Sequence, residues 1–181
     1  QHPRVDILTP GPGVGGHCLP IDPNFLTQMS TEARLIIAAR DINDSMTSHS
    51  MGLVRGLVSD VTRPRITVLG VAYKGNVDDT RRTPAHRFCL LAENEGYDIR
   101  LHDPHADEFS RPLTEFDAAV AGSDCLVILT DHDEYAALDP EELVSQMRRP
   151  NVVDTRGLID RSRWEATGFG VHVLGDGRQS L

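Results

Sequence analysis

After residue 63 the chain alternates short β-branched runs with capped helical segments. That alternation predicts an α/β protein built on a mostly parallel sheet with helices on both faces. A second observation places a long helical segment ahead of the sheet, because apolar residues recur at threes and fours from Thr31 to Val61. The third is the loop before that helix. Gly11–Pro23, GPGVGGHCLPIDP, holds four glycines and three prolines in thirteen residues and cannot be a helix or a central strand. Three parts are expected: residues 1–29 as the loop with a short helix, 30–62 as the long helix, and 63–181 as the parallel-sheet domain.

Along the chain, Asp22–Pro23 reads as an N-cap followed by proline at the first helical position, opening a short helix through about Gln28. Ser30 or Thr31 caps the long helix, whose apolar positions include Leu35, Ile36, Ala39, Ile42, Met46, Leu53, Val54, Leu57 and Val61. It would span roughly 45 Å at 1.5 Å per residue, a length that favours a linker or an oligomer interface over a simple surface helix. Arg63–Pro64 ends that period, and Arg65–Ala72 (RITVLGVA) is the first strand. Thr83–Pro84 repeats the cap-and-proline signal for a helix over Ala85–Asn94, stopped by Gly96. Tyr97–Leu101, Cys125–Leu129, Asn151–Val153 and Gly170–Leu174 are the remaining strands. Helices near Glu115–Ala121, over Pro140–Met147 and over Arg161–Ala166 lie between them.

Bulk properties narrow the function. At 181 residues and 39% hydrophobic, the chain can bury an ordinary core. A formal net charge of -9 argues against general nucleic-acid binding, yet leaves room for an anionic small ligand held by a few arginines and backbone N–H groups. Cys18, Cys89 and Cys125 have no metal-type spacing and an odd count, so no disulfide framework is expected and the compartment reads as reducing and cytoplasmic. No signal peptide or membrane-spanning run is visible. The chain opens on Gln1 and enters its most specialised loop almost at once, which reads as part of a longer protein.

Chemistry concentrates in two places. In the loop, Cys18 follows Gly15, Gly16 and His17 on a backbone too bare to shield it. That is the setting of a reactive thiol approached closely by a substrate; the plainer reading is a small residue tolerated in a loop. Asp22 either caps the helix or faces the same site. The second place is the edge formed by the carboxyl ends of the strands, where ligands of parallel sheets bind. Tyr73–Arg82, His102–Pro104, Thr130–Glu134 and Asp154–Gly157 gather there, and they bring Lys74, Arg81, Arg82 and Arg156 together on an acidic protein. The loop after the first strand matches neither GxGxxG nor the P-loop pattern, so a phosphate site of another kind is expected. Asp131, His132, Asp133 and Glu134 read as a solvated turn rather than a metal site, and Cys89 and Cys125 as core.

GPGVGGHCLPIDP, LGVAYKGNVDDTRRTPA (Leu69–Ala85), the HDP at 102–104 and VVDTRG (Val152–Gly157) occur in this order in nucleotide-sugar dehydrogenases. The chain resembles the UDP-glucose/GDP-mannose dehydrogenase family over nearly its whole length. This resemblance implies oxidation of a UDP- or GDP-sugar alcohol to the uronic acid with two NAD, through a thiohemiacetal and a thioester on the cysteine. His17 stands where UDP-glucose dehydrogenases usually carry serine, and resembles the branch acting on UDP-N-acetylmannosamine or its 2-acetamido relatives. Family members have an N-terminal NAD-binding Rossmann domain, a long central helix used in dimerisation and a C-terminal UDP-binding Rossmann-like domain, which the resemblance implies for residues 63–181. This sequence resembles the latter two, so NAD would be bound mainly by a domain outside it, and the 181 residues alone are expected to be inactive.

By this resemblance Cys18 is the nucleophile, Asp22 orients or activates the hydrolytic water, and Gly15 and Gly16 let backbone N–H groups approach the sugar. Tyr73, Lys74 and Arg156 resemble contacts to the nucleotide-sugar, Arg4 an arginine that reaches the neighbouring subunit's substrate, and Arg81 one that reaches the NAD phosphate. A homodimer through the long helix is implied, with no nucleic-acid or membrane partner. Two other classes stay open at this stage: a non-catalytic UDP-sugar-binding and dimerisation module, and a thiol-redox or regulatory protein using Cys18. UDP-glucose-type specificity is the alternative to the acetamido branch.

Overall fold

Two helices, α1 (Asp22–Met29) and α2 (Arg34–Val58), precede a sheet of five strands. The strands are β1 (Arg65–Leu69), β2 (Asp98–His102), β3 (Cys125–Ile128), β4 (Asn151–Asp154) and β5 (Gly170–Val173). Between them run α3 (Pro84–Asn94), α4 (Phe116–Val120), α5 (Asp133–Ala136), α6 (Pro140–Val144) and α7 (Arg161–Ala166). The structure is a computed structural model and describes residues 9–177. The strand order is β2-β1-β3-β4-β5, and every pairing is parallel, so the sheet is parallel throughout. Parallel neighbours need crossovers, which the helices supply.

Side chains alternate across the sheet with period two. Ile66 and Val68 of β1, Cys125 and Val127 of β3 and Val153 of β4 pack with Met51, Val54 and Val58 of α2 and with Ala85, Phe88, Cys89 and Ala92 of α3. Leu69, Leu126, Ile128 and Val152 belong to the other layer, with Val120 of α4, Tyr135 of α5, Leu143 of α6 and Trp164 of α7. Helices thus cover both faces. Two-sided burial is why β3 is buried at all four positions and reads as an unbroken apolar run.

Among the described residues, side-chain caps open α3, α6 and α7. Thr83 caps α3, its hydroxyl accepting from Ala85 N at 3.2 Å ahead of Pro84. Two other cap readings need correction. Ile21, not Asp22, is the N-cap of α1, and Asp22 is its first helical residue. The cause is the preceding turn: Ile21 N and Asp22 N both donate to Cys18 O, at 3.0 and 2.8 Å, so the backbone is already wound before Asp22. Nor do Ser30 and Thr31 cap α2. Ser30 Oγ accepts from Glu32 N at 3.1 Å in a separate turn, and Ala33 holds the N-cap position. The long helix is therefore 25 residues, about 37 Å. The turn expected at Thr130–Glu134 also differs, because its last residues wind into α5 and bury Tyr135.

Candidate functional site

In this strand order the direction of winding reverses between β1 and β3, and ligands of doubly wound sheets bind outside the carboxyl ends at that point. A cleft of about 630 Å³ is lined by Tyr73 and Lys74 after β1, Asp131 after β3 and Arg156 after β4. Segment 9–15 and Asn43 and Met46 of α2 complete the lining. Arg156 donates from Nη2 to Asp131 Oδ2 at 2.8 Å, while its Nε is buried with no hydrogen-bond partner among the described residues. Burial pushes the Asp131 carboxyl up, but the Arg156 guanidinium more than offsets this and holds it below the usual carboxylate range. A buried donor left unpaired on Arg156, in the cleft that Lys74 also lines, is an opening for an acceptor-rich, anionic ligand.

Two buried carboxylates build the loops that carry these side chains. Asp154, at the end of β4, accepts from four backbone N–H groups: Arg156 and Gly157 on Oδ1 at 2.8 and 2.9 Å, Leu158 and Ile159 on Oδ2 at 2.6 and 2.9 Å. It shapes the turn that presents Arg156. Asp103, just past β2, accepts from Val71 N and Ala72 N on Oδ2 at 2.7 and 3.0 Å, and from His105 N and Ala106 N on Oδ1, both at 2.9 Å. Burial opposes its ionisation; hydrogen bonds from His132 and from those amides outweigh burial and hold the carboxyl well below the usual range.

The cysteine loop is pinned from α2. Val14 N donates to Asn43 Oδ1 at 2.9 Å, and Thr47 Oγ1 donates to Pro12 O at 2.8 Å. A Cβ on Gly15 would stand 2.6 Å from Tyr73 Cβ and 2.9 Å from Arg82 O, so only glycine lets the loop lie on the Tyr73 segment. Gly16 donates its N–H to Arg81 O at 3.3 Å. The bare backbone of these two residues is thus used by the protein itself. Gly11–Gly16 also spells GxGxxG. Among the described residues no strand leads into it and α1 opens only at Asp22, so the strand–turn–helix that gives this pattern its meaning is missing.

Cys18 is exposed, whereas Cys89 and Cys125 are buried and burial pushes both thiols up, Cys89 to about 12. Cys18 and Asp22 line a groove of about 480 Å³ with Leu26 of α1 and Leu35 and Arg40 of α2. Leu19 lines both this groove and the cleft, so the two adjoin. The structure therefore brings Cys18 together with Asp22, and Gly15, Tyr73 and Lys74 together with Arg156. Gly16 and Arg81 line neither space. Arg81 is exposed and paired with Asp79, Nε to Oδ1 at 2.8 Å, which holds the Asp79 carboxyl down at about 2. Arg4 lies outside the described residues.

Sequence reasoning left Asn43, Thr47, Asp103, Asp131 and Asp154 without a role. The one-turn spacing of Asn43 and Thr47 is the available signal for the first pair, HDP and DTRG carry Asp103 and Asp154 as motifs without function, and Asp131 falls in the stretch expected as a solvated turn. His105, His132 and Glu134 have ligand atoms within 4.8 Å of one another. Both His132 nitrogens are already engaged, however: Nδ1 accepts from Asn76 N at 2.9 Å and Nε2 faces Asp103 Oδ2 at 3.1 Å. Metal ligation by His132 would require breaking one of these bonds.

These features define a class: a doubly wound α/β domain with an anion-suited cleft, joined to an exposed cysteine loop. The chain belongs to the UDP-glucose/GDP-mannose dehydrogenase family, with residues 67–161 matching its UDP binding domain and residues 1–45 its central domain. It is 42% identical over 184 residues to a UDP-N-acetyl-D-mannosamine dehydrogenase from Methanocaldococcus jannaschii, which covers 99% of this chain and 43% of that protein. The enzyme of the same name from Methanococcus maripaludis is 40% identical over 182 residues, 98% of this chain and 43% of that one. A solved UDP-D-ManNAc dehydrogenase from Pyrococcus horikoshii superposes with a TM-score of 0.85 at 36% identity, over 97% of this chain and 42% of the other. The chain thus spans less than half the length of these relatives. No helix among the described residues is long and apolar enough to cross a membrane.

Proposed function

We propose that this chain supplies the cysteine loop and the nucleotide-sugar cleft of an NAD-dependent UDP-sugar 6-dehydrogenase whose substrate is UDP-N-acetylmannosamine or a related 2-acetamido sugar. The observation that carries the reading is the cleft itself: Lys74 and an Arg156 with an unpaired buried Nε, sharing Leu19 with the groove of the exposed thiol. Lys74 and Arg156 neutralise the diphosphate, and Tyr73 lies against the loop that leads to Cys18. The names of the relatives and His17 favour the acetamido branch over UDP-glucose. The uncovered apolar side chains of α1 and the first half of α2 fit the homodimer, in which Arg4 would meet the neighbouring subunit's substrate.

Cys18 works on the aldehyde stage. Its thiolate adds to the carbonyl carbon, a C–S bond forms, and the carbonyl electron pair moves to oxygen, which takes up a proton. Loss of hydride and of that proton from the adduct leaves a thioester. Water held by Asp22 then adds, and the C–S bond breaks to return the thiolate and release the acid. When bound, NAD supplies the acceptor for the hydride of each oxidation. The residues present fit one contact to its phosphates, through the exposed Arg81, and not a whole dinucleotide site, because the β1–α3 turn has no glycine fingerprint.

The test is alkylation of Cys18 by iodoacetamide, followed by mass spectrometry of each thiol. Saturating UDP-N-acetylmannosamine is expected to slow the Cys18 reaction about tenfold, and UDP-glucose less. An unchanged rate with bound sugar nucleotide would sink the substrate-site reading and favour a redox thiol. With NAD and the sugar nucleotide, the 181 residues alone are expected to yield no NADH.

A further inference from the structure

Lys74 sits in a loop with no regular backbone pairing of its own, so its placement over the cleft must come from a few fixed points. Before it, Ala72 is held from both sides, its N–H by Asp103 Oδ2 at 3.0 Å and its carbonyl by Thr130 Oγ1 at 2.7 Å. Tyr73 N donates to Asp79 O at 3.0 Å. After it, Gly75 runs so close to the Asp131 backbone that a Cβ would lie 2.2 Å from Asp131 O. Asn76 then takes φ +58, a left-handed conformation that asparagine adopts more readily than most L-residues but that still needs to be selected over the right-handed one. What fixes it is a pair of hydrogen bonds: Asn76 N to His132 Nδ1 at 2.9 Å, and Asp133 N to Asn76 Oδ1 at 3.1 Å.

His132 is fully buried. Because its Nδ1 accepts from an amide, its proton must sit on Nε2, which faces Asp103 Oδ2 at 3.1 Å. The carboxylate of Asp103 already ties Val71 and Ala72 to the end of β2. One buried chain therefore runs from the Asp103 carboxylate through the neutral imidazole to the Asn76 amide, and it grips the loop on both sides of Lys74. A neutral imidazole suits this task, since it offers a donor and an acceptor on opposite sides of one rigid ring.

We propose that His132 is a positioning residue for the nucleotide-sugar cleft: oriented by Asp103, it holds the Asn76 amide and so sets where Lys74 meets the diphosphate. This rests on the reading of the cleft as the UDP site. His132→Ala leaves the Asn76 N–H and one Asp103 lone pair unpaired. His132→Asn can restore an acceptor toward Asn76.

The experiment is calorimetric titration of the 181-residue chain with UDP, for the unmodified protein and for His132→Ala, His132→Asn and Lys74→Ala, each checked for folding by its amide spectrum. In the unmodified chain, nitrogen NMR should show the Nε2–H tautomer and a slowly exchanging Asn76 amide. His132→Ala should bind UDP about tenfold more weakly with a faster-exchanging Asn76 amide, and His132→Asn should recover most of that loss. Folded His132→Ala that melts earlier but binds UDP as before is a structural variant only, and overturns the proposal. So does the Nδ1–H tautomer or a freely exchanging Asn76 amide in the unmodified chain, either of which decides the matter if His132→Ala does not fold. Lys74→Ala separates the two readings. If it weakens UDP binding and His132→Ala does not, the cleft assignment stands and the positioning role falls. If UDP does not bind, or binds regardless of Lys74, the cleft assignment falls first.

Discussion

The two halves of α2 share one helix and one apolar period but not one environment. From Thr47 onward the helix buries Ser50, Met51, Val54 and Val58 against the sheet and α3. Before Thr47, Leu35 and Ile42 remain 81% and 64% exposed, and Phe25, Leu26 and Met29 of α1 stand open beside them. Amphipathic spacing reports that a face needs cover; it does not report where the cover comes from. Here, among the described residues, the apolar face of the second half is covered by the sheet and α3, whereas that of the first half stays largely open.

The largest expected effect breaks the covered side. Trp164 is 2% exposed and meets Phe169 edge-on with ring centroids 4.7 Å apart. Trp164→Ala should cost about 3–5 kcal/mol in urea unfolding, because the cavity cannot close under a sheet already packed on its other face. A cost below about 1 kcal/mol would mean that this layer is no more a core than the open end of α2.

Next comes acid. The folded Asp103 carboxyl is held well below its ordinary value, burial opposing and the His132 and amide hydrogen bonds prevailing. A depressed carboxylate contributes its stability in full above the unfolded pKa, near 4, and loses it as pH falls toward the folded value. Stability should therefore drop on the order of 2 kcal/mol below pH 4 on this account. In Asp103→Asn that part of the slope should vanish. An unchanged slope would place the acid sensitivity elsewhere, in surface pairs such as Asp79–Arg81.

What was legible in the sequence follows the same division. β3 and α3 could be read directly, since burial on two faces shows as the run CLVI and Thr83–Pro84 is a cap whose partner lies two residues away. The cleft could be read only in outline. Lys74 and Arg156 were placed at the correct edge by topology, but Asp103 acts on Val71 and Ala72, 32 and 31 residues distant, and no local pattern announces such a bond. The caps of α1 and α2 were misread for a related reason. The carbonyl of Cys18 had already started the turn that Asp22 was expected to start. Polar Thr130–Glu134 concealed α5 because Tyr135 lies just beyond it, and its burial depends on β3 and β4 packing around it.

The smallest effect on stability is the sharpest test of the open half. Leu35→Lys with Ile42→Lys removes two apolar side chains that touch little in this chain, at helix positions where lysine is at least as favourable as isoleucine. Urea unfolding should move by no more than about 0.5 kcal/mol per site. Self-association is where the change should appear. Sedimentation should show the unmodified chain as a dimer at tens of micromolar and the double variant as a monomer of unchanged fold. A dimer that survives both lysines would put the interface elsewhere. An unmodified chain that is monomeric would overturn self-association through this face and leave the exposed apolar period of the first half of α2 to a partner other than a second copy of this chain.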